Sequence, residues 1–391
     1  WSTLHRACAD ALGARTDVHM PIIALRVAYH LFESDQQRAS LKLLAETITL
    51  SKARHDFDWL ERLLEAAERV ASALRLAPSD PLRGLLDVSA ARLLSVGNRL
   101  MESRAVLDEV VERAQRHDWS HVEGEATFML GSNALARGRT DDAIEFFRHA
   151  QSMFAHLGES QNLASATEGV GYAYLHQGRF REAKSFIVRA GALYEDLDDP
   201  RGLSFNLFHK GIIARYEGDL VGAREYYDRC MQIAGAHGFR DNIANAYNAM
   251  GDLDRYAGDF EQARRHYTSA RDLWGAIGAA AQNMAEINLS LTLIQQRRWD
   301  EAEALLEPLT RRLRFDQAHI QLTFALAAML PVHAARREEA LFDLALEGFE
   351  AFLVSNSVHD PDLDLLCDIC VQLWHSVGDD ARATQTRAVF E

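Results

Sequence analysis

Four residues near the end of the sequence carry side chains of the types that bind zinc. Cys367 and Cys370 are three positions apart, and His359 and His375 lie on either side of them. Cysteine and histidine are the usual zinc ligands in proteins. The same spacing, however, places both cysteines on one face of a helix rich in leucine and isoleucine, where free cysteine behaves as a small apolar residue. We therefore favour buried structural thiols over zinc ligands and predict no metal site.

A second pair of candidate ligands, His117 and His121, stands four residues apart. No third ligand is apparent beside them, so a solvated or helix-capping role is favoured over metal binding. Catalytic motifs are also missing from the sequence. It contains no phosphate-binding loop GxxxxGK[ST], no GxGxxG after a strand, and no kinase, nucleophile-elbow or HExxH signature. These observations predict a protein that has no catalytic residues and no cofactor and is not an enzyme.

These residues belong to an acidic chain of 391 residues, in which 57 Asp and Glu against 42 Lys and Arg give a net charge of −15. Nucleic acids and anionic membranes are bound through basic patches, so neither is expected as a partner. No apolar stretch approaches the length of a membrane span, and no signal-peptide pattern stands at the start. Four scattered cysteines suit a reducing compartment. Together these features predict a cytoplasmic location.

The dominant feature of the sequence is a repeat of about 40 residues. Glycine or serine recurs at steps of 40, 40, 40 and 39 residues, at Gly131, Gly171, Gly211, Gly251 and Ser290. Alanine follows twelve residues behind each, at Ala143, Ala183, Ala223, Ala263 and Ala302. Apolar residues at three-to-four spacing on both sides of a turn glycine predict two amphipathic helices in each repeat. The turn glycines form a further column, Gly138, Gly178, Gly218 and Gly258.

Gly251 lies inside the first helix of its repeat, where glycine costs up to about 1 kcal/mol relative to alanine. A close approach of the two helices would offset this cost. We expect the ring of Tyr267 to lie over the missing Cβ of Gly251, with the small side chain of Ala263 allowing the two backbones to come near.

These columns closely resemble the tetratricopeptide repeat (TPR) family. The family's small, small, large, small pattern is met by Gly251, Ala263, Tyr267 and Ala270, by Gly211, Ala223, Tyr227 and Cys230, by Gly171, Ala183, Ile187 and Ala190, and by Gly131, Ala143, Phe147 and Ala150. The resemblance implies an all-α fold, a right-handed α-solenoid of stacked antiparallel helix pairs known as the TPR superhelix. It places degenerate TPR-like repeats in residues 37–124, a regular TPR array in 125–308, and divergent TPR-like repeats with a cap in 309–391. In the last of these, Pro331 is expected to kink or shorten a helix.

Residues 1–36 resemble a helical junction of large bacterial signalling regulators. The residues that carry this resemblance are Trp1, Leu4, His5 and Leu12, followed by Tyr29-His30-Leu31. In those proteins an ATPase module of the STAND or AAA type, sometimes with a serine/threonine kinase, precedes a C-terminal TPR region. The resemblance implies that this sequence is such a TPR region, with an ATPase or kinase domain in the same polypeptide as a possible partner.

The first helices of TPR repeats line a concave face, and the resemblance transfers ten partner-binding positions to this sequence. They are Tyr172, His176, Phe208, Arg215, Tyr216, Asn245, Asn248, Asp252, Arg255 and Tyr256. Aromatic, arginine and amide side chains are the types that anchor recognition sites. The alternative is that Tyr172 and Phe208 pack between repeats while the polar side chains are solvated.

We therefore predict a non-catalytic interaction and sensor region. It would bind a partner protein or peptide on the concave TPR face and regulate an upstream ATPase, kinase or transcription module. Two alternatives stay open. One is a small-molecule inducer-binding sensor domain of a bacterial regulator, because a tightly wound solenoid can enclose a pocket. The other is a structural scaffold for oligomerisation.

Overall fold

The computed structural model describes residues 2–14, 20–54, 57–97, 99–277, 281–315, 319–353 and 361–390. All secondary structure in these ranges is α-helical, which confirms the predicted all-α solenoid class. The helices are α1 (Ser2–Gly13), α2 (Pro21–Glu33), α3 (Gln37–Arg54), α4 (Phe57–Ala73), α5 (Pro81–Val96), α6 (Leu100–Arg116), α7 (Ser120–Ala136), α8 (Thr140–Leu157), α9 (Ser160–His176), α10 (Phe180–Asp196), α11 (Pro200–Tyr216), α12 (Leu220–His237), α13 (Arg240–Tyr256), α14 (Phe260–Ala276), α15 (Gln282–Gln295), α16 (Trp299–Phe315), α17 (His319–Arg336), α18 (Glu339–Leu353), α19 (Pro361–Ser376) and α20 (Asp380–Phe390). None of the helices in these ranges is long and apolar enough to cross a membrane.

The chain forms two compact units. The first comprises Trp1–Asn133 and Asp142–Val170, and the second comprises Ala134–Asp141 and Gly171–Glu391. In the first unit, the leucines of α3 and α4 form a core from which water is excluded, with Leu44 and Leu63 fully buried. Trp1, which contributed to the predicted junction, lies outside the described residues.

The second unit contains most of the regular repeats and is built from successive helix pairs. Helix α11 packs against α12 and α13 against α14, and each pair packs on the next, α12 on α13 and α14 on α15. The predicted two helices per repeat are therefore present. In the described ranges the helices pack against near neighbours in the chain, so the first helices of consecutive repeats lie side by side.

In two of the regular repeats, at Gly218 and Gly258, the turn between the two helices is formed by a glycine followed by an aspartate. Gly258 has a φ of 80°, a left-handed conformation that residues with a Cβ rarely adopt. The next residue, Asp259, accepts a hydrogen bond from the backbone N–H of Gln262 at 3.2 Å and so caps α14. The predicted chain reversal at this glycine is confirmed, and the aspartate fixes the first residue of the following helix.

Gly251 makes the close helix contact that the sequence predicts. A Cβ added to it would lie 2.6 Å from Cε1 of Tyr267, whose side chain is fully buried in the partner helix. Gly211 and Tyr227 make the same contact one repeat earlier. The tyrosine ring thus occupies the space of the missing side chain, and its packing offsets the low helix propensity of glycine.

Helix α17 continues through Pro331 to Arg336, so the expectation of a shortened helix was wrong. Pro331 is buried, and its neighbours Leu330 and Val332 are fully buried in the core of the last repeats. This packing offsets the backbone hydrogen bond that the proline ring removes. Tertiary contacts here outweigh the local preference of the chain.

Candidate functional site

The ten residues predicted on the concave face lie on three successive first helices of the second unit. Tyr172 and His176 are on α9, three residues are on α11 and five are on α13. We call this set the first-helix surface. Its members are Tyr172, His176, Phe208, Arg215, Tyr216, Asn245, Asn248, Asp252, Arg255 and Tyr256.

Arg255 is the centre of this surface and is only 1% exposed. Its Nη2 donates to both carboxylate oxygens of Asp362, at 2.8 and 2.7 Å. Its Nε donates to the hydroxyl of Tyr267 at 3.1 Å, and its Nη1 to the side-chain oxygen of Gln295 at 3.5 Å. Burial opposes the charge on the guanidinium, but Tyr267 and the carboxyl groups of Asp362 and Asp252 outweigh burial and raise the pKa of Arg255. The side chain is therefore a buried, permanent positive charge that needs an anion beside it.

Asp252 lies one turn before Arg255 and is linked to it through Tyr267. The hydroxyl of Tyr267 donates to Oδ1 of Asp252 at 2.7 Å while it accepts from Arg255. Burial raises the pKa of the Asp252 carboxyl, and the positive charges of Arg215 and Arg255 oppose that shift. The tyrosine that fills the space over Gly251 therefore also fixes the orientation of the two charged groups.

Two exposed tyrosines flank the charged groups. Tyr216 and Tyr256 are each 41% exposed, and the guanidinium carbon of Arg215 lies 4.7 Å from the ring centre of Tyr216 and 5.9 Å from that of Tyr256. Tyr216 also stacks on Phe180 with ring centres 4.4 Å apart. Contacts between arginine and aromatic rings stabilise both partners by about 0.5–1 kcal/mol at exposed sites. Arg215 and the two tyrosines thus form an ordered surface that is open to a ligand.

Arg215 has unused hydrogen-bonding capacity. Within the described parts of the chain, its Nε is buried and has no hydrogen-bond partner. A buried donor without an acceptor costs about 1–3 kcal/mol.

Tyr172 and His176 on α9 and Phe208 on α11 pack against other aromatic rings of the protein. Tyr172 stacks on His209 of the next repeat with ring centres 4.6 Å apart, and its edge meets the ring of His176 at 4.7 Å. Phe208 is half-buried beside Tyr227. Burial lowers the pKa of His176, and the nearby His209 lowers it further. Tyr172 and Phe208 therefore contribute to the packing between and within repeats, as the alternative interpretation anticipated for them.

Two amides of α13 complete the set. Asn248 accepts a hydrogen bond from the Nδ2 of Asn288, which stands 40 residues later, at 3.1 Å. Asn245 is half-buried one turn earlier on the same helix. Asparagine side chains present both a donor and an acceptor, the combination that matches a peptide backbone.

Asp362 is the residue of this site that the sequence reasoning missed. It lies in the first turn of α19, 107 residues beyond Arg255, and also accepts a hydrogen bond from the hydroxyl of Tyr256 at 3.2 Å. The repeat columns link positions about 40 residues apart and carry no signal for a contact over this distance. Only the fold brings the carboxylate to the arginine.

The two cysteines considered as zinc ligands are both buried. Cys367 and Cys370 lie in an apolar cluster with Phe342 and Trp374, and burial raises the pKa of the Cys370 thiol well above its usual value. A thiol must lose its proton to bind metal, so this environment disfavours metal binding. His375 is exposed and lies 2.7 Å from Asp380, whereas His359 lies outside the described residues.

Burial of the thiols predicts a simple labelling result. In the native protein, iodoacetamide is expected to modify the half-buried Cys8 quickly. The buried Cys230, with its pKa raised to about 12 by burial, and the buried pair on α19 should react only as the helices open. Mass spectrometry of timed samples with and without urea measures this, and rapid native labelling of Cys370 would contradict the placement.

The other histidines and acidic groups have partners of their own. His117 is the C-cap residue that follows α6, and it stacks on Trp119 with ring centres 5.2 Å apart. The Nδ1 of His121 lies 2.8 Å from Glu159. The two histidines therefore have separate contacts.

One cluster in the described ranges, Glu303, His333 and Glu338, brings its ligand atoms to within metal-binding distance of one another. The guanidinium of Arg336 already contacts Glu303 at 2.5 Å, and the Nδ1 of His333 lies 2.8 Å from Glu338. The cationic side chain thus neutralises the acidic groups without a metal.

A cavity of about 410 Å³ lies between α18 and α20, and none of the ten residues of the first-helix surface lines it. Its lining is Asp343, Leu346, Glu347, Glu350, Asp379, Ala381, Arg382 and Gln385. The first-helix surface is therefore separate from this cavity.

The helices come in pairs within a 40-residue repeat, and at each close contact a glycine lies under a large side chain of the paired helix. These features define the class as a tetratricopeptide-repeat protein. The sequence profile of the MalT-like TPR region family matches residues 145–386, more than half of the chain. The chain therefore belongs to that family, and the predicted resemblance to TPR proteins is confirmed. No curated protein matches the sequence significantly.

Three solved structures illustrate the shared fold. A Rap protein complexed with competence and sporulation factor is 13% identical, with a TM-score of 0.68 over 90% of this chain and 97% of that chain. NprR in complex with its cognate peptide NprX is 13% identical, with a TM-score of 0.61 over 89% and 96%. A STAND protein with a tetratricopeptide repeat sensor from Pyrococcus horikoshii is 13% identical, with a TM-score of 0.52 over 96% of this chain and 52% of that chain. The chain thus spans about half the length of the STAND protein.

Proposed function

We propose that this chain is a non-catalytic sensor that binds a peptide or a segment of a partner protein on its first-helix surface. The observation that carries the proposal is the arrangement of Arg215, Tyr216, Arg255 and Tyr256, in which two exposed rings flank a charged, partly unsatisfied centre. Tyrosine and arginine are the residues most enriched where binding energy concentrates. Asn245 and Asn248 on the same helix supply groups that can pair with a peptide backbone.

The similar structures support a peptide as the ligand. The Rap protein and NprR have the same fold over most of this chain. NprR was solved with its cognate peptide NprX, and the Rap protein was solved in complex with competence and sporulation factor. The exposed rings of Tyr216 on α11 and Tyr256 on α13 lie on neighbouring first helices, and contacts spread over two helices suit an extended chain better than a compact metabolite.

The proposed output is regulation of a linked module. The STAND protein of similar fold carries its tetratricopeptide repeats as a sensor, and the present chain would serve an ATPase, kinase or transcription module in the same way. A ligand can act on such a module only if it binds one conformation of the repeats better than the other. The regulatory role therefore requires a contact that changes when the ligand binds.

Replacing Tyr216 with alanine should weaken peptide binding by about tenfold or more while leaving the fold intact. The ring is exposed, so its loss removes ligand contact area more than core packing. Binding is measured by fluorescence anisotropy with labelled pools of short random peptides, and the fold by circular dichroism. Tyr29→Ala is the matched control, because Tyr29 is an exposed tyrosine in the first unit. Equal binding by folded Tyr216→Ala and wild type, or no binding of any pool by wild type, contradicts the proposal.

A further inference from the structure

A carboxylate of the chain itself lies in the charged centre of the first-helix surface. Asp362 receives two hydrogen bonds from the Nη2 of Arg255 and one from the hydroxyl of Tyr256. Its side chain keeps 14% exposure, so one side of the carboxylate still reaches solvent. The groups that hold it are the same ones proposed to bind a partner.

Arg255 keeps its anion only while Asp362 is present. The Asp362 carboxylate forms an ion pair with Arg255 at 2.7 Å, whereas the buried carboxyl group of Asp252 is held by the hydroxyl of Tyr267. If Asp362 moves away, one positive charge is left without its anion, and it lies where burial makes an unpaired charge expensive. Another anion must then take the vacated position, and a carboxylate reproduces the same hydrogen bonds.

Side chains alone tie the first turn of α19 to α13. Helix α19 packs on α17 and α20, and in the described ranges its backbone makes no contact with that of α13. The Asp362 contact can therefore break while the helices on either side keep their packing. The contact of Asp362 with Arg255 and Tyr256 can therefore act as a switch that opens without unfolding either helix.

We propose that the ligand is an acidic peptide, one carboxylate of which displaces Asp362 from Arg255 and Tyr256. This inference rests on the proposed function, because it names the chemistry of the ligand at that same surface. The guanidinium of Arg215, beside the rings of Tyr216 and Tyr256, donates to a second oxygen of the incoming chain. Displacement frees the start of α19, and this release is the ligand-dependent change that regulation of a linked module requires.

The test compares Asp362→Asn with Asp364→Asn in the full chain. Asp364 is an exposed aspartate on the same helix and serves as the matched control. The probes are two labelled pools of short random peptides that differ only in whether one fixed position holds Asp or Asn, and anisotropy reports their affinity. If Asp362 occupies the position beside Arg255 in about 90% or more of the molecules, about 10% or less of them can bind the ligand. The apparent affinity then falls to that fraction of the intrinsic affinity. Asp362→Asn should therefore bind the Asp pool about tenfold or more tightly than wild type.

Further outcomes complete the test. The Asp pool should bind Asp362→Asn better than the Asn pool does, and Asp364→Asn should match wild type. If Asp362→Asn binds both pools equally, the acidic ligand is wrong while the peptide-binding function stands. If neither the wild type nor folded Asp362→Asn binds any pool, both fail.

A measurement on wild-type protein avoids reliance on the fold of the variant. Hydrogen exchange followed by mass spectrometry should show faster exchange at the start of α19 when the Asp pool is added and no change with the Asn pool. Binding of the Asp pool without faster exchange at α19 overturns the displacement of Asp362.

Discussion

Arg255→Ala is expected to lower the free energy of unfolding of the second unit by about 3 kcal/mol. The substitution removes the buried partner of Asp362 and the donor to Tyr267, so that two polar groups lose their hydrogen bonds together. Breaking a buried ion pair by removing one member costs about 3–5 kcal/mol. We expect the lower end because the Asp362 side chain retains some exposure and can be solvated.

Urea denaturation followed by circular dichroism measures this loss. Arg240→Ala is the control, because Arg240 is exposed at the first turn of the same helix and its loss should change stability by less than about 0.5 kcal/mol. Adding Asp362→Ala to Arg255→Ala completes a double-mutant cycle, in which the double variant should lose less stability than the two single losses summed. Additive losses would show that the two residues do not stabilise each other.

Gly251→Ala is the second substitution with a large expected effect. The new methyl group would lie 2.6 Å from a carbon of the Tyr267 ring, a distance at which the ring or the helix must move. Overpacking of this kind costs about 1–3 kcal/mol, and it exceeds the gain of up to about 1 kcal/mol in helix propensity. Because the hydroxyl of Tyr267 connects Arg255 with Asp252, the same shift should also weaken peptide binding.

Gly235→Ala provides the opposite expectation on the neighbouring helix. Nothing lies within 4 Å of a Cβ built on Gly235, so alanine there should raise stability by about 0.5–1 kcal/mol. Thermal and urea unfolding of both variants separate the effect of close packing from the effect of helix propensity. A stabilised Gly251→Ala protein would refute the close contact between the two helices.

These two predictions share one structural origin. Gly251 allows Tyr267 to pack against α13, and Tyr267 in turn holds the charged groups of the first-helix surface. The repeated positions Gly251 and Tyr267 serve packing, yet they also orient Arg255 and Asp252, which stand at positions that vary between the copies. The stability of the second unit and the proposed ligand binding therefore both depend on the ring of Tyr267.

The sequence by itself determined the repeat, the helix pairs, the turn glycines and the contact of Gly251 with Tyr267. Each of these depends on residues within one repeat, at most about 40 positions apart, so periodic spacing and residue size were enough to predict them. The ten positions of the first-helix surface followed from the same columns, and the structure places them on three consecutive first helices.

The tertiary structure decided which of those positions are buried and what they contact. Arg255 looked like an exposed recognition residue in the sequence, yet it is almost fully buried against Asp362, which enters from a helix 107 residues away. At Pro331 too, the outcome depends on tertiary packing. Burial of its neighbours keeps α17 continuous although proline disfavours the interior of a helix. Periodicity reports contacts between near neighbours, whereas burial and long-range ion pairs depend on how distant repeats meet. That is why the repeat could be predicted from the sequence, and the carboxylate at its charged centre could not.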